Sequence, residues 1–178
     1  PKQRIRSLRD NAETLFRIGT IFILVLGLIN NLYGIKFGLP YVYDPDEPTW
    51  VAAANGILAN RDLNPHEFGH PGSTTIYFLA ALYAGIYVIG LAIGKFQSPE
   101  DFRLLYHEDP TLVYLSGRLV SVLFSLAAVF MLIMIAKRLL NNRPAALVAG
   151  LLLAINPLFV HFSKFIRTDI QVSFCILI

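Results

Sequence analysis

Three short stretches of this chain hold side chains able to do chemistry: Asp44-Pro45-Asp46-Glu47-Pro48, His66-Glu67-Phe68-Gly69-His70 and Arg167-Thr168-Asp169. Ionised carboxylates take protons and attract cations, so Asp44, Asp46, Glu47 and Asp169 are candidates for acid–base work or ion binding. The histidine stretch fits H-E-x-x-H, which on a continuous helix brings two imidazoles to one Zn²⁺ while the glutamate activates water. In this copy Pro65 precedes the motif and Pro71-Gly72 follow it. Such flanks leave room for one isolated turn, which is costly to nucleate, so the two-histidine geometry is poorly enforced. A zinc intramembrane metalloprotease is therefore the lesser alternative, and a divalent metal ion held by His66, Glu67 or His70 in another kind of enzyme stays open. His107 and His161 show no ligand spacing and read as interfacial or satisfied buried histidines.

The elements that must position these groups belong to a membrane protein. The 178 residues are 55% hydrophobic and 15% charged, with a mean hydropathy of +0.56, far from the average soluble domain. Apolar runs cover 18–35, 72–94, 112–136 and 144–163, each comparable to the roughly 20 residues that cross a hydrocarbon core as a helix. The fold class expected is all-α, a polytopic transmembrane helix bundle with an external amphipathic interfacial helix. Its parts are helix 1 over 1–38, an external loop with interfacial helices over 39–111, and further membrane helices over 112–178. The first run is too long for a secretory signal and lacks a small-x-small cleavage site, so it reads as a retained anchor. The last run, beginning near Ile170, is about half the length needed to cross, and the chain is expected to be truncated there. The single cysteine, Cys175, permits no internal disulfide and no cysteine-based zinc site. The net charge of +3 comes from lysines and arginines flanking the spans, without the basic-aromatic patch that grips nucleic acid.

Charge sets the orientation. Lys2, Arg4, Arg6, Arg9 and Arg17 keep the N-terminus cytoplasmic, and the acidic segment 40–71 suits the opposite face. If 72–94 and 112–136 both crossed, Lys137, Arg138 and Arg143 would lie outside, against the positive-inside rule. The preferred topology keeps 72–94 in the outer half without crossing, although its length leaves a plain two-span hairpin open. Pro48, Trp50, Val51, Ala54, Ile57 and Leu58 predict an amphipathic helix lying along the interface, with Trp50 at headgroup depth, that ends before Asn64-Pro65. Tyr33, Tyr41 and Tyr43 suit an aromatic belt. Gly90 and Gly94 form a small-xxx-small pair that weakly suggests close helix packing, and Asn156-Pro157 predicts a kink. Arg118 lies about six positions inside an apolar run, where a charge costs a few kcal/mol unless paired or hydrated. It either contacts a phosphate or a loop carboxylate, or snorkels to the interface.

The run YDPDEPTWVAAANGILANRDLNP, then FGHPGSTTIYFLAALY, Leu115-Ser116-Gly117-Arg118-Leu119 and Phe165-Ile166-Arg167-Thr168-Asp169 resembles the protein O-mannosyltransferase and lipid A aminoarabinose transferase superfamily. These are membrane glycosyltransferases of the C-type fold. The resemblance covers nearly the whole chain in order, through motifs that are each short. It implies a first external loop with an Asp-Glu motif, whose catalytic aspartate falls on Asp46 with Glu47 beside it. Asp44 lies outside the matched pair, as a substrate-side group. Asp169 falls on a second acidic position that places the acceptor, a metal or Arg167. His70-Pro71 matches a substrate-binding His-Pro segment in which Gly72 replaces a second proline. Thr49 stands where the aminoarabinose transferases carry a basic residue, which leaves the donor sugar undefined.

The expected activity is an inverting transfer of sugar from a polyprenyl-phosphate donor to a hydroxyl acceptor on the non-cytoplasmic face. A bacterial or archaeal plasma membrane is favoured over the endoplasmic reticulum. An acceptor hydroxyl attacks better when a carboxylate takes its proton, and the departing lipid phosphate needs positive charge, for which Arg167 and Arg118 are candidates. The partners implied are the polyprenyl-phosphate sugar, membrane lipid and an unidentified hydroxyl acceptor, with no nucleic acid and no certain cofactor. The third function class is a non-catalytic transporter or scaffold in which Asp44, Asp46 and Arg167 line a polar path.

Overall fold

The computed structural model describes residues 2–67 and 72–178, with side chains from Asn11 onward. Among the described residues there are eight helices and no strand: α1 (Lys2–Leu32), α2 (Glu47–Asn60), α3 (Ser73–Ala92), α4 (Pro99–Glu108), α5 (Thr111–Leu140), α6 (Arg143–Ala154), α7 (Pro157–Ser163) and α8 (Thr168–Ile176). The expected all-α membrane bundle is what forms. Three helices are long and apolar enough to cross a bilayer, over Asn11–Leu32, Ser73–Ala92 and Thr111–Leu140. A fourth results if α6 and α7 are taken as one span bent by 59°.

That bend is the kink expected at Asn156-Pro157. Pro157 has no N–H to continue the ladder of α6, and the Asn156 side chain accepts from the Phe159 amide at 3.0 Å, so α7 starts on a new cap. Ser98 and Asp101 make a reciprocal capping box at the start of α4. The glycine pair of α3 has a different use from the one expected. A Cβ on Gly90 would meet the Phe96 ring at 2.1 Å, and the Gly90 carbonyl accepts the amides of Lys95 and Phe96. Gly94 sits at φ +74 with open space around it. The pair closes the C-terminal turn of its own helix instead of receiving a second helix.

Two ends of the bundle are held by different chemistry. At one end Glu13 on α1 meets Arg143 at 2.8 Å and Lys137 at 3.4 Å, which ties the start of the first span to the end of α5 and the start of α6. Phe16, Ile23, Val129, Ile133 and Ala146 pack into a core above that cluster. Gly150 lets α6 approach α5 so closely that a Cβ there would lie 2.2 Å from Ile133. At the other end Arg118, in the second turn of α5, donates to the carbonyls of Ile35 and Phe37 just beyond α1. The spans of α1 and α5 are therefore antiparallel, and the chain from 33 to 110 leaves and returns at the same end. Much of the apolar surface of α1, including Leu15, Ile18, Phe22 and Ile29, stays exposed, as a lipid-facing helix requires.

The segment between α1 and α5 has a core of its own, built from α2, α3, α4 and the start of α5 around Trp50, Ile76, Tyr83, Phe96, Phe102 and Tyr114. Trp50 is 3% exposed, so the indole packs inside this core and not on the surface at headgroup depth. Once α2 folds against α3, the tryptophan is the largest apolar group on the shared face, and its burial outweighs an interfacial position. Tyr33, Tyr41 and Tyr43 are all exposed, in keeping with a belt.

Candidate functional site

The acidic stretch begins where the irregular 33–43 segment ends and α2 starts. Pro48 stands in the first turn of α2, and Asp46 is the N-cap. The Asp46 side chain makes no capping bond, which leaves its carboxylate available to other partners. Asp44 shapes the approach: its Oδ1 accepts the Asp46 amide at 3.0 Å, a local turn that aspartate favours.

Glu47, one residue on, points the opposite way. Its Oε1 accepts from Arg118 Nε at 2.8 Å and its Oε2 from Arg118 Nη2 at 2.6 Å, a bidentate pair. Both side chains are essentially sealed from solvent, at 0% for Glu47 and 1% for Arg118. The remaining Arg118 nitrogen is taken by the Ile35 and Phe37 carbonyls at 2.7 and 2.9 Å, and the Phe165 ring covers the guanidinium at 5.0 Å. Glu47 Oε1 also accepts the Ile166 amide at 2.9 Å. One carboxylate thus joins the starts of α2 and α5 to the 165–167 linker. Of the readings open for Arg118, the partner it finds is the loop carboxylate.

The linker carries Arg167 to the acidic stretch. Arg167 Nη2 lies 3.0 Å from Asp44 Oδ2 and 3.1 Å from Asp46 Oδ2, and Nε bonds Asp44 Oδ2 at 3.3 Å. The Phe162 ring lies 5.1 Å from the guanidinium. Burial works to lower the pKa of Arg167, but the Asp44 hydrogen bond and the charges of Asp44, Asp46 and Asp169 more than offset it and raise it above the ordinary value. Asp169, in the first turn of α8, belongs to the same electrostatic cluster and forms no ion pair with another described residue. Asp44 and Arg167, 123 positions apart in sequence, therefore converge. Of the carboxylates in the two ion pairs to Arg167, Asp46 is the open one, 36% exposed against 8% for Asp44.

Within the histidine stretch, the partner that His66 finds is Asp62. His66 and Glu67 are outside any helix, and His66 has a left-handed backbone at φ +52. Its Nε2 meets Asp62 Oδ2 at 2.9 Å, while Asp62 Oδ1 accepts the Asn64 amide and Asn64 Oδ1 accepts the His66 amide. The Asn64 amide and then the His66 ring hold the Asp62 carboxyl below its usual range, against the weaker pull of burial. Residues 62–66 therefore fold into linked side-chain turns, and the left-handed backbone of His66 does not open the helical turn that H-E-x-x-H zinc binding needs. No group of three potential metal ligands occurs among the described residues. His70 lies outside the described residues, so its assignment to substrate or metal gains no geometry.

One contact was not anticipated from sequence. Thr75 Oγ1 on α3 donates to Gln171 Oε1 on α8 at 2.7 Å, in the interior, and Gly72 leaves no room for a Cβ beside Thr168, at 2.2 Å from its Cγ2. These contacts fix the first turn of α8, and hence Asp169, against α3. The signal for it was a lone glutamine within the last apolar run, where an unpaired amide is costly.

The family model described as dolichyl-phosphate-mannose-protein mannosyltransferase matches residues 78–178, a stretch that holds Arg118, Arg167 and Asp169 and begins after the Asp44–Glu47 cluster. No curated protein and no solved structure matches the chain.

Proposed function

The chain belongs to the dolichyl-phosphate-mannose-protein mannosyltransferase family, a family of membrane glycosyltransferases, and from that premise we propose that it carries the acceptor-activating centre of an inverting transferase. Asp46 is the general base. The observation that carries this reading is the position of Asp46: a solvent-open carboxylate, oriented by an arginine, at the end of the bundle opposite the basic cluster of Lys137 and Arg143. In the reaction the acceptor hydroxyl oxygen forms a bond to the anomeric carbon as Asp46 takes its proton. The bond from that carbon to the phosphate oxygen breaks, and the lipid phosphate leaves with the electron pair. Attack from the side opposite the phosphate inverts the anomeric centre.

Glu47 and Arg118 are positioning residues in this scheme, since both are sealed from solvent and bonded to each other. Their pair sets the spacing between Asp46 and Arg167 through the Ile166 amide. Arg167 orients the carboxylates of Asp44 and Asp46, and Asp169 adds negative charge beside it. The donor is a polyprenyl-phosphate sugar, mannose by the family description, and the acceptor a hydroxyl group.

The proposed centre faces the non-cytoplasmic side. The basic cluster at the other end favours the cytoplasm under the positive-inside rule. Because 33–110 leaves and returns at one end, it crosses the bilayer an even number of times, and α3 is the only helix described within it that is long and apolar enough to cross. This supports a non-crossing α3, packed in the outer half as part of the external segment 39–111.

The decisive experiment compares the full-length protein with its Asp46→Asn variant in sugar transfer from dolichyl-phosphate-mannose. Transfer by the variant should fall by about a hundredfold or more, with membrane insertion and donor binding retained. Undiminished transfer removes Asp46 from the mechanism.

A further inference from the structure

The departing phosphate gains negative charge, and the cation next to the proposed base is already committed. Arg167 is shared by Asp44 and Asp46, with Asp169 close by. One arginine among three carboxylates leaves a net negative cluster that repels a phosphate. Three residues earlier stands Lys164, which forms no ion pair among the described residues and rests near the Tyr33 ring, 5.7 Å from its centre. A lysine ammonium is a compact, mobile point charge suited to phosphate.

Lys164 stands at the mouth of a groove of about 440 Å³ between the end of α1 and the bend joining α6 to α7. The groove is lined by Ile29, Tyr33, Ile155, Pro157 and Val160. Its floor follows from the sequence: the 59° bend at Asn156-Pro157 turns α7 away from the line of α6 and opens a wedge beside α1. Asn30 closes the wedge by donating to the Ala154 carbonyl at 3.4 Å. Ile29, Tyr33 and Ile155 are exposed on the bundle surface, so a lipid chain can enter sideways from the bilayer. The groove lies at the same end as the carboxylate site, because Tyr33 directly precedes the Ile35 and Phe37 carbonyls that hold Arg118.

We propose that this groove takes the phosphate and first isoprene units of the polyprenyl donor, with Lys164 binding the phosphate, so that the base and the phosphate-holding cation sit on separate sides of the 164–167 linker. The proposal rests on the transferase reading for its occupant. Its apolar walls match an unsaturated hydrocarbon chain, and the Lys164 ammonium matches a monoester or diester phosphate.

The test uses the full-length protein in phosphatidylcholine nanodiscs with radiolabelled dolichyl phosphate, and a photo-crosslinking amino acid at position 155 or, as a control on the exposed face of α5, at position 123. Crosslinking is expected at 155 and not at 123. Lys164→Gln should weaken it about ten- to hundredfold, the range for losing a hydrogen bond to a charged group, and Lys164→Arg should restore it. In the transfer assay Lys164→Gln should raise KM for dolichyl-phosphate-mannose by a similar factor with a smaller change in kcat. Crosslinking at 155 that ignores Lys164→Gln, or that phosphatidylglycerol displaces as well as dolichyl phosphate does, overturns the proposal. So does a loss in kcat at constant KM. Lys164-dependent crosslinking in a protein that transfers no mannose keeps the groove and refutes the transferase reading instead.

Discussion

Removing half of the sealed Glu47–Arg118 pair should unfold the end of the molecule that holds the 33–110 segment before it affects anything else. Glu47 accepts three hydrogen bonds, two from Arg118 and one from the Ile166 amide. In Glu47→Met, Arg118 keeps only the Ile35 and Phe37 carbonyls and the Phe165 ring as partners for a charge that water cannot reach. Breaking a buried pair from one side costs about 3–5 kcal/mol, roughly a 150- to 5,000-fold shift in the folding equilibrium. Arg118→Met costs a similar amount, because it strands the carboxylate and the two carbonyls. The double variant strands no charge and leaves only the two carbonyls and the Ile166 amide short of partners, at about 1–3 kcal/mol each. At mid-range values the single effects sum to about 8 kcal/mol and the double variant costs about 6 kcal/mol, so it should lie about 2 kcal/mol below the sum. The measurement is equilibrium unfolding of the full-length protein in detergent micelles, followed by far-ultraviolet circular dichroism. Additivity within about 0.5 kcal/mol would show that the two groups are not coupled, and the account of how Asp46 and Arg167 are brought together would fail with it.

Three further outcomes are expected. Cysteines placed at 103 and 140 should react with impermeant thiol reagents from the outside and the inside respectively, and the opposite pattern would refute the non-cytoplasmic placement of the 39–111 segment. Gly150→Ala should destabilise the bundle by about 1–3 kcal/mol, as overpacking does, because its Cβ lands on Ile133; an unchanged melting temperature would mean that α5 and α6 separate without cost. The Gln97 and Ser98 amides hold the Asp101 carboxyl below its ordinary 3.8, against a smaller opposing effect of burial. Its capping contribution is therefore complete above about pH 3.8 and is lost as pH falls through the lower folded value. Hydrogen exchange over 97–104 should accelerate only in that acidic window, and acceleration that begins near neutral pH would contradict the cap.

The class of this protein was legible without coordinates, because apolar runs of bilayer length and charged flanks are local properties of a sequence. The same holds for the bend at Asn156-Pro157, since a missing amide acts within one turn, and for the start of α2 at Glu47-Pro48. Sequence order also marked Asp44, Asp46 and Arg167 as unusual, for charges at a membrane edge need partners. Which partner each one finds depended on packing between distant elements. Glu47 and Asp46 are neighbours of the same charge, and no local rule states that one turns inward to Arg118 while the other stays open. That choice follows from the approach of α5 and the 165–167 linker to the start of α2, across separations of 71 and 119 residues. Trp50 and Gly90 differ from expectation for the same reason. Periodicity tells that a face will be covered, whereas only the assembled helices decide whether lipid, another helix or the chain's own next turn covers it.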